Sequence, residues 1–352
     1  MLVLGRKEIG FFLLILVVQV GQTFAGNPDR QGEAGAYELL MNPWARSAGL
    51  HTMNTSGVQG VESLRLNVAG LSRIKQFEVA TSYANYLQGT GIAMNAIGFA
   101  ARTSLSGVLG MSIMTLDFGD IPITTTNQPE VTGGVFSPRF VNIGLSYSKT
   151  FENKVSVGLT LRGISQSISN VSAFGLAIDA GIQYVSGPKD NFKFGISLRN
   201  VGSPMRYSGE GLSVARPSPN GAGYELTLDQ RSAGFELPSM LNIGLSYDLY
   251  FERVHRLTLI SNFTSNSFSQ DQIGGGIEYS IKELFTIRGG YKYEFGSNDV
   301  ITQPIYTGIS AGFGVDLPLS KDKEGLALGI DYAYRQSKVW SGTHNIGVRL
   351  AF

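Results

Sequence analysis

The segment Ile346-Gly347-Val348-Arg349-Leu350-Ala351-Phe352 constrains the fold of this chain more than any other. Read as an extended strand, it puts Ile346, Val348, Leu350 and Phe352 on one side and Gly347, Arg349 and Ala351 on the other. A strand at a chain end needs a partner along each edge, or its backbone N–H and C=O groups stay unpaired. One arrangement that supplies both partners is a sheet closed on itself.

The same two-residue period recurs from about Gln76 onward. Val141-Asn142-Ile143-Gly144-Leu145-Ser146-Tyr147 is nearly repeated at Leu241-Asn242-Ile243-Gly244-Leu245-Ser246-Tyr247. Phe174 to Tyr184, Phe192 to Leu198, Phe285 to Phe295, Ile305 to Val315 and Leu326 to Tyr334 alternate likewise, and helical spacing accounts for none of them. The pattern predicts about fourteen strands, beginning near residues 76, 91, 107, 139, 154, 172, 191, 239, 254, 271, 284, 304, 325 and 342. Most run to about ten residues or more, close to what a tilted strand needs to cross a bilayer. Soluble sandwiches favour strands of about five or six residues.

The connections test this reading independently. Every second one is short and polar: Thr103 to Ser106, Thr150 to Asn153, Gly187 to Asn191, Glu252-Arg253, Lys282-Glu283 and Leu319 to Gly325. The two longest, about Gly119 to Pro138 and Gly202 to Pro238, fall in the other set. Transmembrane barrels keep short turns on the periplasmic side and long loops outside. That parity places both termini in the periplasm. Aromatics near strand ends (Phe151, Tyr184, Tyr250, Phe251, Phe285 and Phe352 at one rim; Tyr86, Phe118, Phe295 and Trp340 at the other) read as two interfacial belts.

Composition agrees. The chain has 45 glycines among 352 residues, 11% aromatics, only 16% charged residues and no cysteine. Disulfides, thiolate metal sites, a cysteine nucleophile and lipoprotein acylation are thereby excluded. A net charge of +1 gives no electrostatic footprint for nucleic acid. Arg6 and Lys7, the apolar run from Ile9 to Val20, and Thr23-Phe24-Ala25 before Gly26 form a secretory signal with its cleavage site. The expected organisation is a signal peptide over 1–25, a plug or periplasmic segment over 26–75 and an outer-membrane β-barrel over 76–352. In the second segment Leu39, Leu40, Pro43, Trp44 and Arg46 lie in a short helix interrupted or restarted at Pro43, apolar enough to pack inside the barrel.

Two resemblances sharpen the expectation. Val348, Leu350 and Phe352 resemble the terminal assembly signal of bacterial outer-membrane barrels, which implies contact with the barrel-assembly machinery and with outer-membrane lipid. The phrase Glu38-Leu39-Leu40-Met41-Asn42-Pro43-Trp44-Ala45-Arg46-Ser47-Ala48-Gly49 resembles the opening of the PorV/PorQ proteins of Bacteroidetes, barrels related to FadL-type transporters. Ser63 to Leu71 resembles that family's Asn-Pro-Ala-Gly-Leu stretch, with Val68 where proline is usual. Leu116 to Pro122 and Arg199 to Gly202 also resemble family phrases. The resemblance covers essentially the whole mature chain. It implies a role linked to type IX protein secretion, with secretion components or cargo proteins as partners. The alternative is a FadL-like channel for hydrophobic small molecules, with Ala34 to Leu50 as a hatch and a kinked strand opening a path to lipid.

Reactive groups are scattered. His51, His255 and His344 have no paired serine motif, Asp117 and Asp120 lack the further ligands of a calcium loop, and no cofactor site is expected. Inward charges (Arg162, Asp179, Arg199, Asp248, Arg256, Arg288, Lys292, Glu294, Asp316, Asp331, Arg335 and Arg349) are mixed in sign, which argues against a selective ion pore. The long loops, with Tyr207, Tyr224 and Phe235, are the expected contact surface for a partner or a lid over the lumen.

Overall fold

The computed structural model describes residues 27–352 apart from 104–106, 131–132, 153, 220–222, 253, 297–302 and 320–324. The export signal expected over 1–25 lies outside the described residues. Fourteen antiparallel strands close into one barrel: β1 (Phe77–Tyr86), β2 (Ile92–Arg102), β3 (Gly107–Asp117), β4 (Arg139–Phe151), β5 (Val155–Ile168), β6 (Val171–Ser186), β7 (Phe192–Gly202), β8 (Met240–Phe251), β9 (His255–Asn266), β10 (Gln272–Ile281), β11 (Phe285–Glu294), β12 (Tyr306–Pro318), β13 (Ala327–Ser337) and β14 (Thr343–Ala351). Each begins within two residues of the start that the alternating pattern predicts. The strand count and the closure are as expected.

Closure is made by β14 on β1, in register from Glu78 opposite Ala351 to Asn85 opposite His344. Phe352 completes the seam. Its N–H donates to the Phe77 carbonyl at 2.9 Å, its carbonyl accepts from Phe77 at 2.8 Å, and the two rings lie 5.3 Å apart. The terminal strand thus has partners on both edges, β13 and β1. Val348 and Leu350 point outward on the same strand.

The wall is inside-out relative to a soluble barrel. On β5, Val155, Val157, Leu159 and Leu161 are exposed outside while Ser156, Thr160 and Arg162 are buried inside. Phe174 on β6 is 66% exposed. Such a face needs lipid as its solvent, and a closed sheet leaves no unpaired edge within it. All connections on the rim shared with the termini are short. The long ones, 118–138 and 203–239, lie on the opposite rim, called the loop rim below. These two loops fold into small ribbons, Ile121–Pro122 with Val135–Phe136, Met205–Arg206 with Gly234–Phe235, and Ser213–Pro217 with Glu225–Asp229.

Two irregularities interrupt the ladders. Between β6 and β7 the register shifts at Ile178/Ala180, and the Asp179 carboxylate fills the bulge by accepting the Asn200 N–H at 2.7 Å. Between β12 and β13 it shifts at Tyr306/Ser310, where Gly308 has φ +93° and packs directly on the Lys292 carbonyl. A side chain there would need both a left-handed backbone and space that is not present.

Residues 34–74 lie inside the barrel and are almost entirely buried. The plug is built from short turns, 3₁₀ at Tyr37–Leu40, Gly60–Arg65 and Val68–Arg73 and one α-turn at Ala45–Ala48. The α-turn starts just after Pro43-Trp44, since proline cannot continue a preceding turn but readily stands before a new one. Trp44, Val61, Leu64 and Leu71 pack on Ala80, Ala84, Met94 and Ala100 of β1 and β2, an apolar sector of the inner wall. Each large side chain buried this way contributes about 1.5–3 kcal/mol.

Elsewhere the wall makes room by omitting side chains. A Cβ on Gly195 would lie 2.6 Å from the Thr55 carbonyl and 2.7 Å from the Ser56 Cα, both plug backbone. Gly195→Val is therefore expected to unseat residues 55–58 at a cost of about 1–3 kcal/mol, while the barrel still forms. Limited proteolysis should cut the variant within the plug, with unchanged heat-dependent gel mobility of the barrel. Protection equal to that of the unaltered chain would contradict this seating.

Candidate functional site

At the loop rim the plug and the wall leave an apolar cavity of about 420 Å³. Its walls come from three parts of the chain: Gly35 to Glu38 and Met41 of the plug, the loop-rim ends of β1–β5, and Tyr207 and Phe235 of the long loop. Tyr86, Phe118 and Phe140 give it an aromatic side, with the Phe118 and Phe140 rings 4.9 Å apart edge to face. The volume is that of a small-ligand pocket. Tyr86 and Phe118 do not join the outer belt expected of them. Tyr86 shares the inward parity of Ala80, Ser82 and Ala84 and is buried, and Phe118 continues past β3 onto the cavity wall. Trp340 is exposed on the outside of the same rim.

One polar line crosses the cavity floor. The Gln166 amide donates to both Glu38 carboxylate oxygens, at 2.9 and 3.0 Å, and its carbonyl accepts the Tyr207 hydroxyl at 2.6 Å. Arg65 donates to the backbone carbonyls of Glu38 and Met41 from below. Burial lifts the Glu38 carboxyl above the usual carboxylate range, with the Gln166 amide pulling the other way.

Each plug residue singled out from the sequence has a definite seat. Leu39 is fully buried against Ile164, Ala173, Ala177, Met205 and Leu237. Leu40 borders a second cavity. The Pro43 carbonyl accepts from Ser82 Oγ and from Asn345 Nδ2, both at 2.7 Å. Trp44 packs on the β1 sector, and Arg46 faces Asp316 at 3.4 Å and Asp331 at 3.9 Å. The inward charges pair between neighbouring strands along the inner wall, Arg162 with Asp179 at 2.6 Å, Lys193 with Asp248 at 2.6 Å and Arg288 with Asp331 at 2.7 Å. Arg349 also pairs with Asp316.

The second cavity, about 180 Å³, lies between the plug turn at His51-Thr52 and β7–β13. His51 and Thr52 take φ of 49° and 59°, a left-handed pair that costs free energy in a β-branched residue such as Thr52. Burial, with Lys292 and Arg335 nearby, holds the His51 imidazole well below its usual pKa, so it is neutral there. The other two histidines face outward and are held by tyrosines. His255 Nδ1 meets the Tyr279 hydroxyl at 2.8 Å and His344 Nδ1 meets that of Tyr332 at 2.7 Å. Asp117 accepts the Gly119 N–H at 2.9 Å and Asp120 accepts from Ser137, so each closes its own loop.

The three loop aromatics separate. Tyr207 and Phe235 turn inward, their rings 5.6 Å apart, and line the apolar cavity. Tyr224 stands beside the Ser213–Pro217 ribbon and is 54% exposed. Sequence reasoning missed Phe140, Gln166 and Glu38 as cavity residues. The inward parity of β5 gave a signal for Gln166.

No family model and no curated protein matches this chain. Solved structures do. The toluene transporter TodX of Pseudomonas putida superposes with a TM-score of 0.55 at 15% identity, over 88% of this chain and 97% of that one. The toluene transporter TbuX of Ralstonia pickettii gives 0.53 at 13%, over 88% and 97%. A Pseudomonas aeruginosa FadL homologue gives 0.50 at 13%, over 87% and 96%. The chain therefore has the FadL-like barrel fold, shared with outer-membrane proteins, at identities that speak for the fold alone.

The Arg162–Asp179 pair is almost fully buried, and Arg162 also donates to the Leu64 carbonyl at 3.0 Å. Arg162→Gln leaves a buried carboxylate short of its counter-charge, at an expected cost of about 3–5 kcal/mol. Thermal unfolding of the purified barrel should show it, and Arg162→Leu with Asp179→Leu should recover most of the loss. An unchanged midpoint in the single variant would remove the pair from the account.

Proposed function

We propose that this chain is an outer-membrane channel that admits small hydrophobic molecules at the loop rim, with that rim outward and both termini in the periplasm. The observation that carries the reading is the aromatic-lined cavity between plug and wall, open toward the loops. Fully burying a ring the size of phenylalanine contributes about 1.5–3 kcal/mol. That suits weak, reversible capture ahead of passage. The lumen below is filled by the plug, so passage requires the plug to shift. The fold likeness to two proteins described as toluene transporters supports the same reading.

A test is uptake of radiolabelled toluene by cells carrying the chain in their outer membrane. The rate should exceed that of cells lacking it and fall several-fold in a Phe118→Ala/Phe140→Ala double variant. Equal rates with and without the correctly inserted protein would end the proposal.

The exposed ribbon favours a second reading. Tyr224 and Leu228 stand out from the loop rim with little cover, and the sequence resembles the PorV/PorQ proteins along the plug. On that reading the ribbon binds type IX secretion components or their cargo. Removing residues 213–229 should then abolish co-purification of such proteins while leaving toluene uptake intact. Co-purification that survives the deletion would set this reading aside.

A further inference from the structure

The polar line on the floor of the aromatic cavity runs in one chemical direction. A carboxylate only accepts hydrogen bonds, so the Gln166 amide must turn its nitrogen toward Glu38, where it reaches both oxygens at 2.9 and 3.0 Å. Its carbonyl is thereby turned to Tyr207, and the Tyr207 hydroxyl must be the donor of the 2.6 Å contact between them. The tyrosine O–H and the amide N–H thus both point along the line toward Glu38. What the two ends of the line leave open is acceptor capacity, on the Glu38 carboxylate and on the Tyr207 oxygen. Glu38 is only 2% exposed, and a carboxylate has lone-pair sites for about four hydrogen bonds.

The remaining lining supplies no such groups, being formed largely by Met41, Ile92, Leu116, Phe118, Phe140 and Phe235. Arg65, beneath the floor, gives its hydrogen bonds to the backbone carbonyls of Glu38 and Met41 rather than to the carboxylate. Its charge nevertheless lies close enough to offset that of Glu38. The position therefore suits a neutral donor better than a cation, and an anion would meet like charge. A hydroxyl on an apolar ring meets both demands, since the ring packs on the aromatic side while the O–H completes the carboxylate. Hydrogen bonds from a hydroxyl to a carboxylate belong to the stronger, charge-assisted class. A plainly apolar pocket ranks ligands the other way, because a hydroxyl taken from water without a partner costs free energy and a methyl group gains it.

We infer that the aromatic mouth selects neutral arenes that carry a hydroxyl, the ring packing against Phe118 and Phe140 and the hydroxyl donating to the Glu38 carboxylate. This deepens the channel reading, on which it rests for the route of entry, and narrows the substrate class from arenes at large to phenols. Glu38 determines the specificity because it is the acceptor. Gln166 and Tyr207 are positioning residues: the amide holds the carboxylate on the floor, and the tyrosine hydroxyl holds the amide.

The test is calorimetric titration of the purified full barrel in a neutral detergent, against a blank of detergent alone, with p-cresol, p-xylene and 4-methylanisole. These three share a ring and differ in carrying a donor, neither donor nor acceptor, and an acceptor only. In the unaltered chain p-cresol should bind at least five-fold more tightly than either of the others. Glu38→Gln places an N–H₂ group where an acceptor stood, so p-cresol should lose its preference and 4-methylanisole should gain on it. Gln166→Leu should weaken p-cresol more than p-xylene, whereas a general loosening of the cavity would weaken both alike. Heat-dependent gel mobility identifies a variant that has failed to fold, and the order of the three probes on the unaltered chain then decides without it. Binding of p-xylene or 4-methylanisole as tight as that of p-cresol overturns the inference, as does a p-cresol preference that survives Glu38→Gln in a folded barrel. A p-cresol preference without toluene uptake retains the donor site and discards the channel. Toluene uptake without a p-cresol preference does the reverse.

Discussion

Everything in the lumen depends on how the inner wall satisfies a plug that has almost no regular structure. A chain of short turns exposes backbone N–H and C=O groups, and none of them can go unpaired in a buried space without cost. The wall answers with short polar side chains at inward positions. Gln183 donates to the Thr55 and Val58 carbonyls, Ser148 to that of Ala69, Ser310 to that of Gly49, and Ser82 and Asn345 to that of Pro43. The plug reciprocates through Asn67, whose amide reaches the Ile182 carbonyl of β6 at 3.1 Å. The plug is thus bonded to wall strands on several sides. A local shift must therefore exchange several hydrogen bonds together.

That dependence explains the composition. A wall that must approach plug backbone closely needs residues with no side chain, and one that must bond it needs serine, asparagine and glutamine. Gly158 sits against the Val68 carbonyl and Gly195 against that of Thr55, each at a distance no Cβ would tolerate. The abundance of glycine is therefore in part a record of where the plug lies. The outward face obeys lipid, and its apolar residues are the other half of the alternating pattern.

The barrel was legible because its period of two is repeated fourteen times, and because the lengths of the connections carry an independent parity. The plug was legible as a segment through Leu39, Leu40, Pro43 and Trp44, which are too apolar to be left in water. Its seat was not, since Gly158 and Gly195 act by lacking a side chain and the sequence does not say what they avoid. The aromatic mouth was half legible. Tyr86 lies at an inward position by the parity of β1, so its place could have been read, whereas Phe118, Tyr207 and Phe235 lie beyond the strands where no period applies. Nothing in the loop's own sequence separates Tyr207, packed on Gln166, from Tyr224, exposed on the ribbon.

The mixed charges of the lumen read differently once they have positions. Toward the rim that carries the termini, Arg46, Arg288 and Arg349 meet Glu62, Glu278, Asp316 and Asp331, so acids outnumber bases and each guanidinium has a carboxylate within reach. Toward the loop rim, Arg65, Arg162, Arg199, Lys292 and Arg335 meet Glu38, Asp179 and Glu294, and bases outnumber acids. Sequence gives a near-neutral sum and hides this gradient, because neighbouring inward positions on different strands are far apart in the chain. The lumen is thereby polarised along its axis, and in a low-dielectric interior such an offset acts over several ångströms.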